Sequence, residues 1–395
     1  MDRIYFDHAA TTPVSKNVLE KMLPYFTENF GNSHSQHSFG RNAVKGVDIA
    51  RSQVAKALNC LPNEIYFTGS GTEADNWAIK GSAWARQSRG KHIITSQIEH
   101  PAVLNSCKWL EKQGFEVTYL PVDGEGFVKL DELEKALRKD TILVSIMFAN
   151  NEVGAIQPVR KIAEIVKKNS DALFHVDAVQ AVGAVKVDVK EIGCDMLTVS
   201  AHKFYGPKGI GALFIRNGLK IDKLIIGGGQ ERAMRGGTSN TPAIVGMGQA
   251  IEDAVNNLES YSEHCKKLRD RFISRVESEV PYVKLNGSRE NRLPNNANFS
   301  FEFIEGESIL YRLDLAGIAV SSGSACSSGS LEPSHVLLAM GVDVVMGHGS
   351  IRFSFGKDNT MEQVDYAVDK IKEVVSTLRQ MSPLFNLKEG DVSNV

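Results

Sequence analysis

Two hydrophobic periods alternate along the first half of the chain. Residues 41–59 (RNAVKGVDIARSQVAKALN) repeat apolar positions every three or four residues, as a helix does, and the short apolar run EIYFTG follows. The pairing recurs in TEADNWAIKGSAWARQ with KHIITS, HPAVLNSCKWLEKQG with FEVTYLP, LDELEKALRK with TILVSIMF, and VRKIAEIVKK with ALFHVD. Short apolar runs between helices of this length predict crossover units on a mostly parallel sheet. Such strands show little polar alternation because helices cover both faces of the sheet. After DMLTVS, the glycines of GPKGIGALFI predict a tight reversal and a strand of opposite direction.

Beyond about residue 255 the pattern changes. Two long helical stretches lead into isolated strands (YVKL, NANFSF, SIRFSF). A last helix over Met361–Met381 carries one apolar stripe of Val364, Ala367, Val368, Ile371, Val375 and Leu378. The expectation is an α/β fold with two parts. A large domain over 16–255 holds the mostly parallel sheet, and a smaller α+β domain combines 1–15 with 256–395. From Pro383 onward no period is visible, which reads as a mobile extension.

Charge narrows the function. Lys and Arg number 45 against 47 Asp and Glu, and the basic residues are dispersed. A nucleic-acid or polybasic membrane partner needs a concentrated positive field, so neither is expected. The longest apolar-rich run, ILVSIMFA at 142–149, falls far short of the ~20 residues of a membrane span. MDRIYFDHAATT lacks the apolar core of a secretory signal. Five cysteines stand at 60, 107, 194, 265 and 326, with no C-x-x-C pair, so neither a disulfide framework nor a metal site is indicated. A reducing cytoplasm is the expected location.

The polar residues that follow the strands form a set. Ser70, Gly71, Thr72 and Glu73 follow EIYFTG, and Glu99, His100 and Pro101 follow KHIITS. Asn150, Asn151 and Glu152 follow TILVSIMF, Asp177 closes ALFHVD with Gln180 three residues on, and Ser200, Ala201, His202 and Lys203 close DMLTVS. Ligands of open α/β sheets collect at the carboxyl ends of the strands. Each cluster alone has a structural alternative: Thr72 as a plain helix cap, and a strand-end His or Asn as a fold residue. Five in register are harder to attribute to capping. A phosphate-bearing aromatic cofactor with a ring nitrogen and a carbonyl would use all of them. Asp177 would keep a pyridine nitrogen protonated, Lys203 would form a Schiff base, and His100 would stack on the ring. Thr72, Ser200 and His202 would hold the phosphate.

SAHKFYGPKGIGALFI resembles the Schiff-base lysine segment of fold-type I pyridoxal-phosphate enzymes of the class V aminotransferase group. More narrowly, the chain resembles the cysteine desulfurases of the NifS/IscS type. The likeness runs from YFDHAATTP through GSGTEADN, EHPAVL, NNEVGAIQP, HVDAVQ and RGGTSNTPAIVG to SGSACSSGSLEPSHVL and SIRFSFG. It implies pyridoxal 5′-phosphate as cofactor and a fold-type I transferase fold. Lys203 would bond the cofactor, Asp177 would pair with its ring nitrogen, and Gln180 with its phenolic oxygen. His100 would stack on the ring and assist proton transfers, while Gly71, Thr72, Ser200 and His202 would bind phosphate. Thr238 would reach the phosphate of a neighbouring subunit, which implies a homodimer. Asn151 and Arg352 would hold the substrate carboxylate, a task suited to a guanidinium's parallel donors.

Cys326, in SSGSACSSGS, would be the nucleophile of an extended cysteine loop over about 321–333. The implied reaction converts L-cysteine to L-alanine and leaves sulfur on Cys326 for an acceptor protein, an iron–sulfur scaffold or a thiolation relay. Two rivals stay open. One is a selenocysteine or cysteine lyase, or another class V reaction, which would need Lys203 but not Cys326. The other is a sulfur-carrier scaffold without catalysis. Two departures from the family's usual text stand out. Gly31-Asn32-Ser33-His34-Ser35-Gln36-His37 lacks a proline, leaving Asn32 and His37 as weaker candidate contacts near the substrate entrance, and His8 stands where asparagine is frequent. The other four cysteines read as core or helix residues.

Overall fold

The computed structural model describes residues 3–322 and 333–385. In chain order the strands are β1 (Ile4–Tyr5), β2 (Ile65–Thr68), β3 (His92–Ser96), β4 (Glu116–Leu120), β5 (Thr141–Met147), β6 (Leu173–Asp177), β7 (Met196–Ser200), β8 (Gly211–Ile215), β9 (Val283–Leu285), β10 (Asn296–Phe301), β11 (Ile318–Ala319) and β12 (Ser350–Ser354). The helices are α1 (Lys16–Met22), α2 (Pro24–Thr27), α3 (Ser38–Leu58), α4 (Gly71–Arg86), α5 (Pro101–Glu111), α6 (Leu130–Ala136), α7 (Val159–Asn169) and α8 (Val189–Ile192). They continue with α9 (Gln230–Ala233), α10 (Thr241–Asn256), α11 (Leu258–Glu279), α12 (Gly306–Leu315), α13 (His335–Ala339), α14 (Val344–His348) and α15 (Met361–Met381).

Seven strands form the central sheet in the order β2-β8-β7-β6-β5-β3-β4. β3 to β7 run parallel to one another, and β8 runs antiparallel to both β2 and β7. That reversal is the one read from GPKGIGALFI. β5, β6 and β7 are buried along their whole lengths, as their apolar runs required. Separate apolar clusters pack the two faces, one around Val144, Val176 and Val199, the other around Ile93, Leu143 and Leu213. α7 shows how the pattern works at one helix: Val159, Ile162, Ala163 and Val166 face the sheet, while lysines 161, 167 and 168 stay in water.

A third cluster forms around the antiparallel sheet β12-β10-β9. Phe272 of α11 sits at its centre, with ring centroids 4.5 Å from Phe353 and 5.6 Å from Phe355. Such aromatic pairs add about 0.5–1.5 kcal/mol each beyond area burial. Ile4 and Phe6 join this cluster from the other end of the chain, because β1 pairs in parallel with β11. The Met361–Met381 helix has the expected bounds and buried stripe, with Thr360 and Gln363 making a reciprocal cap at its start. Of the extension expected from Pro383, residues 383–385 are described, and 386–395 lie outside the described residues. Phe385 packs on Tyr282 and Phe303 at 6.0 and 5.7 Å, and the Arg379 guanidinium lies over its ring. Among the described residues no helix is long and apolar enough to cross a membrane.

Candidate active site

The carboxyl ends of β2, β3, β5, β6 and β7 converge on one cavity of about 660 Å³. Gly71, Thr72, His100, Asn151, Asp177, Gln180, Ser200, His202, Lys203 and Arg352 all line it. At one end α4 begins with its first-turn N–H groups towards the cavity. Ser70 is the cap residue, its Oγ accepting from Glu73 N at 3.1 Å. Thr72 is therefore released from the capping role that was its alternative reading. A Cβ at Gly71 would come within 3.0 Å of Val179 and 3.3 Å of Ser200, so glycine lets the helix start approach β7. Ser200 and His202 complete this end, with His202 Nδ1 3.1 Å from the Thr11 hydroxyl. Burial, then the charges of Lys203 and Lys208, push the His202 imidazole down to about 4, so the ring is neutral.

Lys203 follows the end of β7 in a short 3₁₀ turn. Its Nζ donates to the carbonyls of Ala9 at 2.6 Å and Ala10 at 2.8 Å. Gln180 Nε2 donates to the same Ala9 carbonyl at 3.0 Å. Asp177, at the last position of β6, accepts from Val179 N at 2.9 Å. Burial raises its carboxyl to about 6, opposed by the Val179 N–H and the Lys203 charge. His100 caps α5 by accepting from Ala102 N at Nδ1, 3.1 Å. That bond places the neutral ring's proton on Nε2, and burial followed by the Lys203 and His335 charges holds its pKa down to about 4.

The opposite wall comes from the small unit. Arg352 on β12 is 3% exposed. Its Nη2 donates to Asp7 Oδ1 at 2.8 Å and its Nη1 to the Asn151 carbonyl at 3.0 Å, while its buried Nε has no partner. Asn150 shapes the turn that presents Asn151: its Oδ1 accepts from Glu152 N and Val153 N, and its Nδ2 donates to the Ile98 carbonyl.

Asp7, Ser334 and His335 escaped the sequence reading of this site, and Glu99 and Glu152 entered it without a partner or a role. Asp7 holds Arg352, and His335 lines the cavity while hydrogen-bonding the Glu99 carbonyl at 3.0 Å. Ser334 donates to Glu152 Oε2 at 2.5 Å, and burial raises the Glu152 carboxyl to about 7. Glu99 accepts from Ser96 Oγ and Met147 N, and burial lifts it to about 8. EPSHVL and NNEVG contained these residues, but nothing local marks a serine or glutamate as reaching 182 positions along the chain.

Three candidates, Thr238, Asn32 and His37, are not among the residues that line the cavity. Thr238 and Asn32 are both exposed, and the Asn32 side chain accepts from His34 N at 3.0 Å. His37 is the cap of α3, its Nδ1 accepting from Gly40 N. Cys326 lies outside the described residues. The other four cysteines lie outside the cavity lining. Cys107, Cys194 and Cys265 are buried, and burial pushes the thiols of Cys60, Cys107 and Cys265 up to about 12 and Cys194 higher still. His8 is buried edge-on to Tyr5 and faces a second cavity of about 640 Å³ on the far side of Lys203.

These groups fit pyridoxal 5′-phosphate. A helix start with small residues suits a phosphate, a buried carboxyl suits a ring nitrogen, and a lysine lies between them. The family description aminotransferase class-V matches residues 4–367. Cysteine desulfurase IscS of Clostridium botulinum (strain Hall) is 53% identical over 385 residues, 97% of each chain. The protein of the same name from Methanosarcina thermophila is 56% identical over 381 residues, covering 96% of this chain and 94% of that one. Among solved structures, a NifS-like protein superposes with a TM-score of 0.90 at 45% identity, covering 95% of this chain and all of that one. SspA in complex with cysteine superposes with a TM-score of 0.80 at 37% identity, over 90% of this chain and all of that one. A match of this length and identity decides the family: the chain belongs to the class-V aminotransferases, in their pyridoxal-phosphate-dependent cysteine desulfurase branch.

Proposed function

We propose that this cavity removes sulfur from L-cysteine with Lys203 as the cofactor-bonding amine, and that Cys326 receives the sulfur. The observation that carries this reading is the pairing of Lys203 and Asp177 on one wall with a buried Arg352 on the other. Bound pyridoxal 5′-phosphate supplies a carbonyl for an amine and a protonated ring that withdraws electrons from the substrate's α-carbon. The α4 start, Gly71, Thr72, Ser200 and His202 hold the phosphate. Asp177 keeps the proton at the ring nitrogen, Gln180 bonds the phenolic oxygen, and His100 lies against the ring face. Arg352 and Asn151 take the substrate carboxylate; the partnerless Nε of Arg352 supports a carboxylate guest.

With pyridoxal 5′-phosphate and substrate bound, the Lys203 amine would be the base that moves the α-proton. The Cys326 thiolate then attacks the substrate sulfur. An S–S bond forms, the Cβ–S bond breaks, and its electron pair stays with the carbon skeleton, which is protonated to L-alanine. Only the thiolate is competent, and a free thiol has a pKa of ~8.5. The Nε2–H of His100 would donate to such a thiolate on this reading. From Cys326 the sulfur passes to an acceptor protein, an iron–sulfur scaffold or a thiolation relay.

The working unit on this reading is a homodimer with an isologous interface, in which the exposed Thr238 reaches the partner's phosphate and Asn32 contributes once a second chain completes the site. The large domain spans 16–255, the small one combines 1–15 and 256–395, and the enzyme works in the cytoplasm. The test is product analysis of Cys326→Ser with L-cysteine. Loss of both alanine and protein-bound persulfide is expected. Normal alanine release with a persulfide on another residue would sink the role of Cys326, and normal alanine with free sulfide would favour a lyase.

A further inference from the structure

Beneath Asp177 lies a column of polar groups that the reaction as described does not use. Ser145, His175 and Thr198 sit on β5, β6 and β7, all fully buried, and Asp75 of α4 closes the column at 2% exposure. His175 and Asp177 are two residues apart on one strand and so share a face of the sheet. The His175 ring spans two hydroxyls, with Nδ1 2.9 Å from Ser145 Oγ and Nε2 3.0 Å from Thr198 Oγ1. Asp75 Oδ1 lies 3.7 Å from the same Nε2 and has no hydrogen-bond partner, while Thr198 hydrogen-bonds the Asp75 carboxyl. Thr198 is also the residue paired with Asp177 across β6 and β7.

A layer needing only to be packed would be apolar, like Ala74 and Ala78 on either side of Asp75. Three of these polar side chains are hydrogen-bonded within the column, and the buried Asp75 Oδ1 is left without a partner at a cost of about 1–3 kcal/mol, which points to a task for Asp75. The charges facing the column identify it. Asp177 has a backbone N–H and the Lys203 ammonium to favour its ionised form. Asp75 has only a hydroxyl, and the negative charges of Asp177 and Glu99 work against its ionisation. Burial keeps His175 neutral, at about 3, so it offers no cation either. Two carboxyls so close in a dry site do not both ionise.

We propose that Asp75 is a positioning residue for Asp177: it remains a neutral acid, anchored by Thr198 and His175, so that Asp177 alone presents negative charge to the cofactor's ring nitrogen. The proposal rests on the reading that Asp177 faces that nitrogen. Asp75 supplies polarity without a second charge, keeping Asp177 anionic in a site that would otherwise favour its neutral form. An apolar residue in its place would desolvate Asp177 further and make its carboxylate easier to protonate.

The test reads the visible band of the bound cofactor against pH in the holoenzyme, and cofactor affinity by titrating the apoenzyme. Asp75→Asn mimics the neutral acid and is expected to leave the acid limb of the band in place and affinity within about threefold. Asp75→Val is expected to move that limb to higher pH by about one unit, a tenfold change in the protonation equilibrium, and to weaken cofactor binding. A moved limb in Asp75→Asn would mean that a charge had been removed and overturns the proposal; so does an unmoved limb in Asp75→Val. Asp75→Asn conserves volume, and it decides the protonation state even if the valine variant does not fold. Asp177→Asn separates the two levels of the argument. If the limb does not respond to that change, the assignment of Asp177 itself fails, whatever the Asp75 variants do.

Discussion

Replacing Asp7 by asparagine removes one charge from the substrate-facing wall and little else. Asp7 Oδ1 lies 2.8 Å from Arg352 Nη2, and the two side chains are 19% and 3% exposed. At an effective permittivity of about 20, opposite charges about 4 Å apart attract by about 4 kcal/mol. Deleting one partner of a buried pair costs about 3–5 kcal/mol. The partial exposure of Asp7 puts this pair at the lower end, and asparagine keeps an acceptor worth about 1 kcal/mol. The expected loss in the free enzyme is therefore about 2 kcal/mol.

A ligand carboxylate can replace the lost charge. In the native enzyme it shares the guanidinium with Asp7; in Asp7→Asn it is the principal counter-charge. L-alanine carries the carboxylate but no sulfur, so it binds without turnover. Thermal unfolding with and without L-alanine reads both effects. The variant is expected to unfold at lower temperature alone, yet to gain more from L-alanine, with affinity tightened up to about tenfold, or 1.4 kcal/mol. Equal protection of both proteins would refute the assignment of Arg352 as the carboxylate's partner.

Three further outcomes follow from local geometry. Ala233 has a φ of 62°, in the left-handed region, which costs about 1–2 kcal/mol for a residue with a Cβ; Ala233→Gly returns up to ~1 kcal/mol of that in unfolded-chain entropy. The glycine variant is thus expected to be up to about 1 kcal/mol more stable in denaturant titration, and a lower midpoint would show that the turn is held otherwise. Glu99 is raised from 4.5 to about 8, so its neutral form favours the fold. The stability it contributes is complete below its unfolded value and lost as pH rises through about 8. Glu99→Gln should flatten the stability profile between those limits, and an unchanged slope counts against a neutral Glu99. Finally, a limiting dose of alkylating agent on the native protein should modify Cys326 before any other thiol, as peptide mapping would show. Early labelling of Cys107, Cys194 or Cys265 would contradict their raised thiols.

The sheet was legible because its strands are buried on both faces: TILVSIMF and DMLTVS have no polar alternation to confuse with a helix. The strand ends were legible only as a set, since a single polar cluster can be a helix cap, as Ser70 and His100 are, whereas five in register after the strands are hard to attribute to capping. Partnerships between distant residues were not. His175 sits inside ALFHVD as one polar residue in a buried strand, and its meaning depends on Ser145 and Thr198 arriving alongside from other strands. Asp7 is unremarkable in YFDHAATT until β12 brings Arg352 across 345 residues. That Ser70 and not Thr72 caps α4 turned on a two-residue difference in where the helix begins, which residue type cannot resolve because both side chains make good caps.

The first dozen residues explain how the two halves of the site are joined. Lys203 belongs to the central sheet and Arg352 to the smaller one, yet both grip the same short segment. The carbonyls of Ala9 and Ala10 take the Lys203 ammonium, and Ala9 also takes Gln180. Thr12 donates to the His202 carbonyl through both N and Oγ1, while Thr11 meets the His202 ring. On the other side Asp7 holds Arg352, and Ser354 Oγ accepts from Ala9 N at 2.9 Å. Neighbouring residues of this one turn, which the Ala10 N to Asp7 carbonyl bond closes, cannot move far from each other, since consecutive Cα atoms stay 3.80 Å apart. The lysine proposed to bond the cofactor and the arginine proposed to hold the substrate are thus tied to anchors two or three residues apart. A displacement of the smaller sheet that shifts Arg352 must pull on Ala9 and Ala10, and so on the hydrogen bonds of Lys203. If Lys203 gave up those carbonyls, as its proposed role would require, the segment's remaining ties to His202 and Ser354 would keep that spacing in place.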